Sequence, residues 1–222
     1  MNEFGHQQSV LHYRALLHQM RNHLQLVASL LRLESQSSAS NSEPQKLLTQ
    51  TIERIQAIGL AHELIHDTDS SVDVSQYLHS LSLRLIQNHP LADRVHYVVD
   101  CDAMTLPLDL IVKLGLMVCE VMLRALDNGS KDGDRSQRKL TIACRMADNQ
   151  CRLMIAHNQQ GLAINTIFAE QKIPLIQLIT KQIKGTITVE TGGLGSVWIL
   201  DFPIEKTLDC STRPVQESAA TD

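Results

Sequence analysis

Leu17, Met20, Leu24, Val27 and Leu31 are spaced 3, 4, 3 and 4 residues apart. Side chains at that spacing share one face only on a helix, and the alternation of three and four is the period of helices that pack lengthwise against one another. The other face carries His18, Asn22, Gln25, Ser29 and Arg32. The pattern predicts a first helix from about residue 8 to 35, closed by a polar loop rich in serine that runs to Pro44. A second helix then starts, with Leu48, Ile52, Ile55, Ile58, Ala61 and Ile65 as its apolar face, and ends where Asp67, Thr68, Asp69, Ser70 and Ser71 break the pattern. Two helices of this length cannot bury both stripes by themselves. Pairing with a second copy to form a four-helix bundle is the simple remedy, so a homodimer is expected.

From about Asp73 the period changes. Helices are expected at 73–88, at Pro107 to Leu126 with the proline in the first turn, and at Pro174 to Ile183. Strands are expected at Val95 to Val99, Lys139 to Arg145, Arg152 to Ala156, Thr186 to Thr191 and Val197 to Phe202. Gly192, Gly193 and Gly195 could cradle a phosphate, but between two strand patterns they favour a hairpin turn. Residues 206–222 are polar and expected to be disordered. The fold class is therefore α+β: a helical hairpin over residues 1–70, an α/β sandwich over 71–205 and a tail.

Composition excludes several functions. A net charge of -4 with no basic stripe argues against nucleic-acid binding. No run of about 18 apolar residues exists and the N-terminus has no apolar signal core, so a cytoplasmic protein away from the membrane is expected. Five cysteines at irregular spacing, Cys101, Cys119, Cys144, Cys151 and Cys210, fit buried thiols better than a disulfide framework or a zinc ribbon.

A histidine on the polar face of the first helix is reachable by a partner and is neutral for much of its time near pH 7, so a ring nitrogen of His18 can attack a phosphoryl group. His23 lies about 140° around the helix from His18 at 100° per residue, so the two cannot face one partner equally. Of the two, His18 is the expected acceptor.

The same stretch resembles the phosphoacceptor box of bacterial sensor histidine kinases, with His18, Arg21, Asn22, Leu24, Gln25, Ser29, Leu30 and Leu31 in register. Residues 54–64 resemble that family's second helix, and 114–120 resemble the opening of its ATP-site helix. The resemblance spans roughly residues 10 to 203 and implies an ATPase-like sandwich after the hairpin. It also shows what is missing. Where it expects a magnesium-binding asparagine four residues after Glu120, the chain has Arg124, a fixed cation that cannot ligate a metal. The adenine-reading loop aligns with His157, Asn158, Gln159, Gln160 and Gly161, so its carboxylate and first glycine are gone. The phosphate turn has become Lys172, Ile173 and Pro174, where proline removes a backbone donor. About eleven residues separate Gly161 from Lys172, too few for an ordinary ATP lid. Gln19, beside the acceptor, cannot act as a general base.

A degenerate ATPase-like unit beside an intact histidine helix resembles the dimeric histidine phosphotransferases of phosphorelays, including the sporulation phosphotransferase B type. The resemblance implies transfer between receiver-domain aspartates through His18, with Asn22 steering the imidazole or the phosphoryl oxygens. Gln19, Arg21 and Gln25 would meet the partner. No cofactor is expected on this chain, the magnesium belonging to the receiver domain of the response regulator. Three alternatives stay open, one of them a surviving weak kinase with an unusual nucleotide mode, against which Arg124 and His157 argue. The hairpin could serve as a dimeric docking module that sequesters a regulator, or His62, Glu63 and His66, a zinc-binding pattern on a helix, could mark a metallopeptidase. Against the peptidase, Asp69 and Val72 stand where one zinc-protease type has its glycine and third histidine, and residues 80–96 hold no glutamate for another.

Overall fold

A computed structural model of the chain describes residues 20, 22, 23, 25 and 27, then 44–65, 70–127, 137–158, 174–192 and 195–204. The described residues of the first helix are helical. The other elements, in chain order, are α1 (Pro44–Glu63), β1 (Ser71–Asp73), α2 (Val74–Gln87), a single 3-10 turn (Ala92–Arg94), β2 (Val95–Cys101), β3 (Thr105–Pro107), α3 (Leu108–Asp127), β4 (Arg138–Ala147), β5 (Gln150–His157), α4 (Pro174–Gln182), β6 (Thr186–Gly192) and β7 (Gly195–Pro203). All the helices and strands expected from periodicity within the described residues are present. The expected tail, 206–222, lies outside them.

Five strands form one sheet in the order β2-β4-β5-β7-β6, parallel between β2 and β4 and antiparallel elsewhere. Alternation divides its faces. Leu140, Ile142, Cys144, Leu153, Ile155, Trp198, Leu200 and Phe202 are buried in the core, while Val98, on the opposite parity, is 57% exposed. The β4–β5 connection is a two-residue turn, Asp148 and Asn149 both at positive φ (49° and 62°), the handedness that tight hairpins require. The glycine segment after β6 is also a hairpin: Gly192 pairs with Gly195. Gly195 has φ 130°, and a Cβ there would strike the carbonyl oxygen of His157, so a side chain is barred on two counts.

Helix α2 starts cleanly because the Asp73 carboxylate accepts from the Gln76 backbone N–H at 2.7 Å, an N-cap bond. The short pair β1–β3 was not foreseen; three-residue strands are too brief to show alternation. Pro107, expected inside the first turn of the long helix, ends β3 instead, and α3 begins one residue later.

Helix α3 is the centre of the fold. It is buried on almost every side, from Leu108 to Leu126, and packs against α1, α2 and α4 as well as the sheet. The core is continuous from Val27 and Ala57 through α3 to Phe202. Where α2 crosses α3, Gly115 leaves room for the Tyr77 ring, and the Tyr77 hydroxyl donates to the Ala57 carbonyl of α1 at 3.1 Å. One side chain thereby ties three helices together.

Helix α1 faces the other way from expectation. Its expected apolar face is split: Ile58 and Ala61 are buried with Ala57 and Leu60, but Leu48, Ile52 and Ile55 are 61%, 44% and 50% exposed. The buried face also holds Glu53 and Arg54. The cause lies on α3, whose buried Glu120 needs a cation, and rotating α1 to supply Arg54 leaves the aliphatic stripe outside. Met20, placed on the apolar stripe of the first helix, is likewise 46% exposed, while His23 and Val27 are buried.

Replacing Tyr77 by Phe is expected to cost about 1 kcal/mol of unfolding free energy, because one buried hydrogen bond is lost. Gly115→Ala is expected to cost more, about 1–3 kcal/mol, because the added methyl collides with the Tyr77 ring. Urea denaturation of both variants, and of the double variant, measures the coupling.

Candidate functional site

Of the expected site residues on the first helix, His18, Gln19 and Arg21 lie outside the described residues, while Asn22 and Gln25 are described and exposed. His23 is only 3% exposed. Its Nδ1 lies 3.2 Å from His62 Nε2 of α1, the two rings meeting edge to face at 71°. Its Nε2 lies 3.7 Å from Asp109 Oδ1 at the start of α3, and Asp109 also accepts from Lys113 one turn on. The neighbouring His23 imidazole, helped by the hydrogen bond and charge of Lys113, holds the Asp109 carboxyl down at about 2 against the opposing effect of burial. Burial, and secondarily the neighbouring His23, lowers the His62 imidazole below its ordinary range. A histidine in that setting is a packing and coupling group, which removes His23 as a rival phosphoacceptor.

The same contact accounts for half of the zinc-like pattern. His62 points to His23, and Glu63 is exposed and pairs with Arg84 of α2 at 2.9 Å. His66 lies outside the described residues. Among the described residues, no group of three or more histidine, cysteine, aspartate or glutamate side chains is arranged to hold a metal.

Glu120 sits where the kinase resemblance puts an ATP-site carboxylate. It is 5% exposed. The Arg54 guanidinium donates to Oε1 through Nε at 2.8 Å and through Nη2, and Arg124 Nη2 approaches Oε2 at 3.5 Å. Both oxygens are thus engaged by guanidinium groups, one of them from α1. Both Arg54 donors reach the same oxygen, and hydrogen bonds between ionised partners are roughly twice as strong as neutral ones. Sequence reading found Arg124 but not the partner of Arg54, although an arginine amid the apolar positions of α1 was a visible signal that a buried acid awaited it.

At the end of β5, His157 is 5% exposed, neither ring nitrogen has a hydrogen-bond partner among the described residues, and burial lowers its pKa, favouring the neutral ring. It carries no carboxylate to accept an adenine amino proton. Asn158 is committed to the fold, accepting from the Lys139 backbone N–H at 2.8 Å and donating to the Gln137 carbonyl at 2.9 Å. Pro174 opens α4, and residues 159–173 lie outside the described residues.

Leaving Glu120 buried without its main cation is expected to cost about 3–5 kcal/mol, so Arg54→Leu should be strongly destabilised. Arg124, whose side chain is 32% exposed, should tolerate Arg124→Leu with a loss of less than about 1 kcal/mol. Thermal and urea unfolding of the two variants check the ranking, and Arg54→Leu combined with Glu120→Leu should recover most of the first loss.

Residues 16–89 match the family profile HisKA_2, described as histidine kinase. The chain is 21% identical over 205 residues to blue-light-activated histidine kinase 2 of Erythrobacter litoralis, covering 88% of this chain and 58% of that protein. It thus spans under two thirds of the length of this curated relative. In fold it is similar to the histidine kinase domain of the Erythrobacter litoralis EL346 blue-light-activated kinase, with a TM-score of 0.63, 18% identity and coverage of 84% of this chain and 88% of that one. The longer structure of the same kinase gives the same score and covers 92% of this chain and 61% of its own. The chain is thus similar to histidine kinases, and it shares the mixed α+β fold of the kinase-domain structure.

Proposed function

We propose that this chain is a histidine phosphotransferase of a bacterial phosphorelay, in which His18 accepts a phosphoryl group from one receiver-domain aspartate and yields it to another without ATP. The observation that carries this reading is the occupied carboxylate of Glu120. With Arg54 and Arg124 on its two oxygens, the helix that resembles an ATP-site helix presents positive charge where a magnesium nucleotide would need ligands.

The chemistry asks little of the protein. A neutral His18 ring nitrogen attacks phosphorus, the N–P bond forms as the acyl phosphate P–O bond breaks, and the aspartate leaves as carboxylate. The reverse sequence delivers the group to the second receiver. Magnesium bound by the receiver offsets charge on the phosphoryl oxygens. The helical period puts positions 18, 22 and 25 on one face, and the exposure of Asn22 and Gln25 supports an open docking face there. Asn22 would orient the imidazole or a phosphoryl oxygen, with Gln19, Arg21 and Gln25 against the acidic rim of the response regulator.

In this reading residues 1–70 act as the phosphotransfer and dimerisation hairpin and 71–205 as an ATPase-like unit that has become a support. The exposed stripe of Leu48, Ile52 and Ile55, together with Met20, fits a four-helix bundle formed with a second copy. None of the helices among the described residues is long and apolar enough to cross a membrane, consistent with a cytoplasmic relay protein.

Incubation with a receiver domain carrying labelled aspartyl phosphate should move the label to this chain in an acid-labile, base-stable form, and His18→Ala should abolish it. Stable binding of the receiver with no transferred label would replace this reading with a docking module. Stoichiometric zinc lost on His66→Ala would replace it with the peptidase.

A further inference from the structure

We infer that His23, His62 and Asp109 form a proton-counting joint between the phosphoacceptor helix and the ATPase-like unit, closed while a single proton lies between the two imidazoles and opened by a second. The coupling to phosphotransfer rests on the function proposed above; the joint itself does not.

The argument begins with three separate stretches of chain that converge on one buried point. His23 comes from the first helix, His62 from the last turn of α1, and Asp109 from the first turn of α3. Among the described residues, the charged and titratable groups at this junction are these three and Lys113, which is ion-paired to Asp109. Glu63, beside His62, is turned away to Arg84 on α2.

Two imidazole nitrogens 3.2 Å apart can share only one hydrogen. If His23 donates from Nδ1, His62 Nε2 must be bare; if His62 donates, His23 Nδ1 must be bare. The Asp109 carboxylate stays ionised above about pH 2, so it favours a proton on the His23 Nε2 that faces it. Protonating both rings fully would set two N–H donors against each other inside the protein and bring two positive charges together. That state is relieved by separating the first helix from α1 and α3.

The sign follows from the lowered His62 pKa. In the closed joint His62 takes a proton less readily than it does in water, so the open form binds protons preferentially. The contribution of the pair is complete above the ordinary imidazole pKa, near 6.5, and is lost as pH falls below it, levelling off under the lowered value. Asp109, depressed to about 2, keeps its own contribution throughout this window.

His23 and His62 are therefore positioning residues. Five positions along the same helix from His18, His23 fixes the rotation of that helix against the rest of the molecule.

The test uses the whole chain, by amide hydrogen exchange of residues 20–27 and NMR titration of the imidazole protons between pH 7.5 and 5. Opening, taken as the exchange rate divided by the intrinsic amide rate, should rise as pH falls below 6.5 and then level off, and the His62 ring should titrate below the ordinary imidazole range. His62→Gln keeps a side chain able to donate or accept but not to titrate, and should make exchange of the first helix independent of pH in excess of the intrinsic amide rate. Asp109→Asn should open the joint at higher pH. Opening, so measured, that stays flat with pH in the wild type, or a His62 ring that titrates in the ordinary range, would overturn the inference. So would pH dependence that persists in a folded His62→Gln variant. The wild-type titration decides the matter if that variant does not fold. None of these readouts requires His18 to accept phosphate.

Discussion

The arrangement of this molecule depends on one buried ion pair. Glu120 lies inside α3, the helix around which everything else packs, and a carboxylate at that depth is tolerable only with a cation and hydrogen bonds to satisfy it. Arg54 supplies both from α1. The demand fixes which face of α1 turns inward, and that in turn decides what remains outside. An aliphatic stripe that could have been core is left facing solvent, and the polar side of the pair enters the core instead. A buried pair of this kind adds little net stability compared with a hydrophobic contact, but it penalises every other rotation of the helix.

The same pair occupies the carboxylate that the resemblance to kinase domains would give to a nucleotide site. Arg124 reinforces Arg54 on the second oxygen of Glu120. His157 is neutral where an acid would be needed, and the end of β5 is tied to β4 by Asn158. Each change is local. Helix α1 packs on α3, and its docking is completed by Tyr77 over Gly115 and by the junction at His23. In the function proposed here, the hairpin carries the chemistry and the sandwich supports it.

Much of this was readable in the residues. Long helices and alternating strands show their period, so α1, α2, α3, α4 and the five strands of the sheet were all anticipated within a residue or two. What escaped was pairwise and long-range. Nothing in the pattern of the first helix says that His23, rather than Met20, turns inward, because the reason is a histidine 39 residues away and an aspartate on a third helix. Likewise the partner of Arg54 is 66 residues distant. Periodicity assigns apolar residues to the core and reads polar ones as surface. It therefore fails where two polar groups bury each other, as they do at both hairpin junctions.

The claim at the centre of this account is that the ATPase-like unit no longer receives ATP. Isothermal titration of the intact chain with magnesium and a non-hydrolysable ATP analogue tests it most directly. The account predicts no saturable heat at millimolar nucleotide, whether Arg54 is present or not, since Arg124 and His157 remain. Stoichiometric binding in the micromolar range by the wild-type chain, weakened by Glu120→Gln, would contradict it.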